Sequence, residues 1–135
     1  MGEKAPGRPW QIALRHPRQD AATPLGVLAL SHALLTVSGD YEHFFSVKGR
    51  RYHHIIDPRT GYPTENGVAE VVLSLPPEDP DAGLTADILS TALFVLGEEG
   101  AALFAPSLLP TGASLLFIAP DGTITPHGAP LPLTP

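Results

Sequence analysis

The stretch Leu84-Thr85-Ala86-Asp87-Ile88-Leu89-Ser90-Thr91-Ala92-Leu93-Phe94-Val95-Leu96-Gly97 holds one ionisable side chain, Asp87. Wound at 3.6 residues per turn, its apolar positions cover most of the circumference, which predicts a helix buried on most sides. A carboxylate there needs a compensating partner, because an unpaired buried charge is very costly. Thr91 lies four residues on, so its hydroxyl stands beside the carboxylate on one helical face. Two adjacent oxygen donors make half a site for a hard cation such as Mg2+. The same D-x-x-x-T pair has an ordinary structural reading, with the Asp bonding to a neighbouring backbone and the Thr bonding back to the preceding turn. Asp81 or Thr85 suits the helix start, and Gly97 suits its C-terminal stop.

Strand patterns surround this helix. Residues 68–75 form an apolar run bounded by Pro76-Pro77, and Trp10-Gln11-Ile12-Ala13-Leu14-Arg15 alternates as a half-buried strand does. Residues 26–30 and 33–38 read as two more strands. Residues 44–47 and 51–56 flank Lys48-Gly49-Arg50, a hairpin signal, and Asp121-Gly122 between residues 114–119 and 123–125 is another. Residues 98–104 suit a short second helix. Strands outnumber helices and run consecutively, so the fold class is α+β, a mainly antiparallel sheet with one buried helix and a short second helix. Residues 1–125 read as one unit. Residues 126–135 hold four prolines and read as a Pro-rich tail.

Composition narrows the function classes. The 135 residues suit one small domain, and 43% hydrophobic content suits a globular one. Fourteen acidic residues against eight basic give a net charge of −6, with no dense basic stripe to neutralise phosphates, so no nucleic-acid partner is expected. The absence of cysteine excludes disulfides, zinc-thiolate sites and thiol nucleophiles. No uninterrupted run of about 18 apolar residues is found, and no signal segment, so the chain reads as soluble.

Two further clusters carry polar chemistry. In Tyr52-His53-His54-Ile55-Ile56-Asp57-Pro58-Arg59-Thr60-Gly61, the Asp57-Pro58-Arg59-Thr60 portion has turn chemistry. On a strand, His53 and His54 point to opposite faces, which rules against a chelating pair and sends one to the core and one to a cleft or solvent. Either is also readable as a hydrogen-bonded structural histidine. Ser38-Gly39-Asp40-Tyr41 is either a simple turn or a close backbone approach to a ligand. Ser38, Asp40 and His54 do not make a hydrolase triad, because no nucleophile-elbow pattern is present.

Taken together, T-V-S-G-D-Y-E-H-F-F (residues 36–45), R-Y-H-H-I-I-D-P-R-T-G-Y-P (51–63) and T-A-D-I-L-S-T-A-L-F-V-L-G (85–97) resemble the ApbE family of flavin transferases in content, order and spacing. Residues 10–18 resemble the family's preceding strand, and the likeness runs over residues 8–125. It implies the C-terminal half of an ApbE-like fold, since family members are more than twice this length. The implied activity is FAD:protein FMN transfer: FAD is the substrate, its pyrophosphate is cleaved, and FMN is attached to a Thr or Ser of a target flavoprotein. Some relatives hydrolyse FAD to FMN and AMP. The resemblance implies Mg2+, with Asp87 and Thr91 as metal ligands, and His54, Ile55 and Ile56 as part of the FAD-binding wall. Asp57 and Thr60 would fix the turn that holds this wall, and Asp40 would support it from behind. No catalytic base is assigned. The family is commonly exported and lipid-anchored, so the full-length protein is expected outside the cytoplasmic membrane. Two other readings stay open: a flavin-nucleotide binding module without turnover, and a structural half-domain that needs a partner chain. Strand edges normally covered by the other half would favour self-association.

Overall fold

The computed structural model describes residues 1–19, 24–78 and 81–134. In chain order the elements are β1 (Trp10–Arg15), β2 (Pro24–Leu30), β3 (Leu34–Gly39), β4 (Phe44–Val47), β5 (Arg50–His53), β6 (Ile56–Asp57), β7 (Tyr62–Pro63), β8 (Glu70–Leu75), α1 (Ala82–Leu108), β9 (Ser114–Ile118), β10 (Ile124–Gly128) and β11 (Leu133–Thr134). All the strand pairings are antiparallel. The α+β class expected from the run of strands is the class observed.

Three layers stack around one sheet. The central sheet has the order β10-β9-β8-β3, and a second sheet has the order β1-β2-β11. Every residue of β8 and β9 is buried. Their side chains alternate: Val71, Leu73, Leu75, Leu115 and Phe117 join the core with Leu93 and Phe94 of α1, while Val72, Leu116 and Ile118 join a second core with Leu14, Leu28 and Leu30 of the outer sheet. This explains why residues 70–75 and 114–118 lack a polar alternation. A strand covered on both faces reads as a continuous apolar run.

The helix breaks at Gly97, whose φ of 71° and ψ of 177° are not helical. The Asn66 side chain inserts at the break, donating from Nδ2 to Phe94 O at 2.7 Å and Val95 O at 3.3 Å. It thereby satisfies carbonyls left over at a helix end. A Cβ at residue 97 would lie 3.0 Å from Asn66 Nδ2, so both the backbone angle and the side-chain insertion require glycine. The sequence-based stop at Gly97 and second helix beyond it therefore hold, with the second segment continuing to Leu108.

Three expectations change. First, the helix is buried only on its sheet-facing side: Leu84 is 64% exposed and Ile88 58%, and Asp87 and Thr91 share that open side. Periodicity shows that a helix is apolar all round, but not how many of its sides find cover. Second, the Pro-rich stretch expected over 126–135 is no tail in its described part, residues 126–134. Pro126, His127 and Gly128 pair with β9, and Leu133 and Thr134 pair with Leu28 and Val27 of β2, closing the edges of both sheets. Proline is tolerated there because edge strands leave one row of backbone groups unpaired. Third, Ala82–Leu108 is long and apolar enough to cross a membrane by length and composition, with mean hydropathy 1.5. Its break at Gly97 and its packing on β3 and β8 identify it as the core helix of this fold.

Candidate functional site

Where β3 ends, α1 passes over it and residues 54–56 run alongside. A cleft of about 410 Å³ opens between the three. Val37, Ser38 and Gly39 form its floor, Asp87 and Thr91 one wall, and His54, Ile55 and Ile56 the opposite wall, with Glu42 and His43 at the mouth. All five residues singled out from the sequence, Asp87, Thr91, His54, Ile55 and Ile56, thus line one cavity.

The acidic wall is held by hydroxyls. Thr91 Oγ1 donates to Asp87 O at 3.3 Å, and Ser90 Oγ donates to the same carbonyl at 3.1 Å. Ser38 Oγ donates to Ser90 Oγ at 2.9 Å and lies 3.3 Å from Thr91 Oγ1, tying α1 to β3. The back-bonding alternative for Thr91 is therefore realised, and it leaves the oxygen lone pairs available. The Asp87 carboxylate has no protein partner among the described residues. Being exposed, it has solvent in place of the buried counter-charge expected from the sequence.

Adjacent histidines have opposite fates, as strand alternation requires. His53 is buried, edge-on to Phe94 with ring centres 5.7 Å apart. Its Nε2 meets Thr64 O at 3.1 Å, and its Nδ1 accepts from Ile55 N at 3.3 Å, so the proton resides on Nε2. His54 is exposed in the cleft. Its Nδ1 lies 3.3 Å from His43 O, which can only accept, so this contact is made by the Nδ1–H and leaves Nε2 facing away from it. The His43 ring stands edge-on to the His54 ring at 5.3 Å.

The wall is held by the turn that follows it. Asp57 Oδ1 accepts from Arg59 N at 2.9 Å, Arg59 closes on both carboxylate oxygens, and Thr60 N and Gly61 N donate to Asp57 O. These hydrogen bonds from Arg59 hold the Asp57 carboxyl below the usual carboxylate range. Behind the floor, Arg18 grips buried Asp40 through two contacts of 2.7 and 2.6 Å. A Cβ on Gly39 would meet the Tyr41 ring at 2.8 Å, so this turn needs glycine for close approach.

Three participants escaped the sequence reading. His43 sits in a loop whose pairing to His54 only the ladder reveals. Asn66 looks like any loop polar residue. Glu70, 1% exposed, opens the buried strand β8 opposite Gly39. Burial pushes its carboxyl up to about 7 against a hydrogen bond from Tyr41, and Oε2 has no partner. A Glu heading an apolar strand was the available signal.

The donors fit a hard divalent cation in kind. They are all oxygen: the Asp87 carboxylate and the hydroxyls of Thr91 and Ser38. Among the described residues no three His, Asp or Glu side chains converge on one point.

A family model described as the ApbE family matches residues 1–115. The FAD:protein FMN transferase of Haemophilus influenzae is 40% identical over 101 residues, covering 74% of this chain and 28% of the relative. That of Treponema pallidum is 38% identical over 112 residues, covering 83% and 29%. Among solved structures, the ApbE protein of Thermotoga maritima superposes with a TM-score of 0.73 at 40% identity, over 92% of this chain and 38% of that one. The apo flavinyl transferase ApbE of Pseudomonas stutzeri gives 0.62 at 34%, over 95% and 37%. The chain thus spans less than a third of the length of these two sequence relatives, and aligned sequence and shared architecture agree that it belongs to the ApbE family.

Proposed function

We propose that this chain carries the C-terminal part of the site of an Mg2+-dependent FAD:protein FMN transferase. The observation that carries the reading is the single cleft in which Asp87 and Thr91 face His54, Ile55 and Ile56. Asp87 and Thr91 would hold the cation, which neutralises pyrophosphate charge. Ile55 and Ile56 offer backbone groups and an apolar surface to the nucleotide, with Ile56 44% exposed. In the transfer, an acceptor Thr or Ser oxygen bonds to the FMN phosphorus. The bond from that phosphorus to the bridging oxygen breaks, and AMP leaves with the electron pair. The acceptor proton must also depart, and His54 Nε2 is an atom at the cleft that can take it. Water in place of the acceptor gives FMN and AMP.

The test is FAD binding to this chain by flavin fluorescence, with and without Mg2+, in the parent and in Asp87→Ala. Mg2+-dependent binding lost in the variant is the expected result. Equal binding by parent and variant in excess Mg2+ would show the metal assignment to be wrong. Binding without transfer to an acceptor Thr would favour a nucleotide-binding module.

A second reading is favoured by the open flank of α1. Leu84 and Ile88 stand exposed one turn apart beside Asp87. A completing segment of the larger domain would cover this stripe, and it is a better candidate interface than the strand edges first considered for self-association. FAD binding only on co-expression with the remaining part of an ApbE domain would support this half-domain reading. Light scattering that shows a concentration-independent monomer would argue against self-association.

A further inference from the structure

The ribbon of β4 and β5 stands apart from both large sheets and pairs only with itself. Its register places Phe45 opposite Tyr52 and Val47 opposite Arg50, and the backbone bond from His54 N to His43 O extends the same ladder to the cleft. Residues two apart share a face, so these pairs form three tiers on one side of the ribbon. The His43–His54 tier sits at the mouth of the cleft. Next come Phe45 and Tyr52, stacked with ring centres 5.2 Å apart and planes 7° from parallel. Val47 and Arg50 follow, and the ribbon turns at Lys48-Gly49, both with positive φ. A second hollow lies against the first two tiers and shares Glu42, His43 and His54 with the cleft.

This face is costly to leave bare. Phe45 is 62% exposed and Val47 48%, and with the Tyr52 ring they give this face an apolar surface. Its charge is opposite to the chain's. Arg50 on this face and Lys48 at its turn are both cationic, in a protein with net charge −6. Arg51 belongs to the opposite face, over the Phe44 ring at 3.6 Å, Arg50 pairs with Glu65, and Lys48 has no ion-pair partner among the described residues. The outer edge of β4 also offers unpaired backbone groups, which can bond an added strand.

We infer that the outer face of the β4–β5 ribbon is the docking track for the acceptor polypeptide, taking an extended acidic segment with apolar residues and delivering its hydroxyl to the cleft. This rests on the transferase reading, because only an acceptor of nucleotide has reason to be led there. Tyr52, Phe45 and Val47 would receive the apolar side chains and Lys48 the acidic ones, while the His43–His54 tier marks where the hydroxyl enters.

The test uses fluorescence anisotropy with a fluorescein-labelled twelve-residue peptide, one threonine among glutamates and leucines, and a twin with lysine for every glutamate. FAD binding is followed in parallel by flavin fluorescence. The acidic peptide should bind at least about tenfold tighter than its twin, and more weakly as salt rises. Phe45→Ala and Lys48→Glu should each weaken it about fivefold or more and leave FAD affinity within about twofold. Val47→Asp, on the third tier, should act likewise, and thermal melting by circular dichroism checks that each variant folds. Equal binding of the two peptides, no binding of either, or full binding by the variants overturns the inference. So does a matching loss of FAD affinity in Phe45→Ala, which would make the ribbon a nucleotide surface. Peptide capture with no FAD binding, either alone or on co-expression with the remaining part of an ApbE domain, would sink the flavin reading and with it the acceptor role of the ribbon.

Discussion

The two sides of α1 are built from the same kinds of residue and do opposite things. On the sheet side, Ala86, Ser90, Leu93 and Phe94 are sealed against β3 and β8, and even a histidine, His53, is packed there with both ring nitrogens bonded. On the other side, Leu84, Asp87, Ile88 and Thr91 stand open, and a charge is held with no counter-ion among the described residues. The first side sustains the fold. The second presents chemistry and is left uncovered. Removing a side chain from the sealed side should therefore change stability, and removing one from the open side should change binding.

The largest expected effect lies on the sealed side. Phe94→Ala should cost about 3–5 kcal/mol in urea denaturation, because it empties a fully buried ring site. A loss below about 1 kcal/mol would mean that the helix is loosely docked. Next comes Glu70, buried beyond the other face of the sheet. Its folded-state pKa of about 7 lies above the ordinary carboxyl value of 4.5. Between these values the folded chain keeps a proton that the unfolded chain releases. Stability therefore falls as pH rises through that window and stays lower above it. Glu70→Gln should remove this slope and stabilise the chain at pH 8 by on the order of 3 kcal/mol. Melting curves across pH 4 to 8, with and without the substitution, check the sign.

Smaller effects sharpen the boundary between the two sides. Asn66→Ala strips the bonds to Phe94 O and Val95 O at the helix break and should cost about 1–2 kcal/mol. Hydrogen exchange should quicken on both sides of Gly97. Asp87→Ala should sit at the bottom of the scale, within about 0.5 kcal/mol of the parent in stability. A large destabilisation there would place Asp87 with the sealed side and undo the comparison.

Much of this was legible before any coordinates. The hairpins at Lys48-Gly49 and Asp121-Gly122 follow from turn chemistry that depends on local backbone angles alone, and glycine with positive φ occurs at both. Strand alternation separated His53 from His54 for the same reason. The helix stop at Gly97 was readable, but its cause was not, since Asn66 reaches it from 28 residues away. The Pro-rich end misled because proline content speaks against central strands but not against edges, where residues 126–128 and 133–134 lie. Glu70 and His43 were missed because their roles come from long-range pairing, which no local window contains.

The sequence by itself determined the class of the fold and the turns, through residue type and short-range periodicity, and the family, through the likeness of three segments to it. Tertiary structure alone decided which side of α1 was covered, that the His54 ring meets the His43 carbonyl, and that burial pushes the Glu70 carboxyl beside Gly39 up to about 7. Burial, contact and pKa are properties of surroundings assembled from distant parts of the chain, so they exist only once the layers have come together.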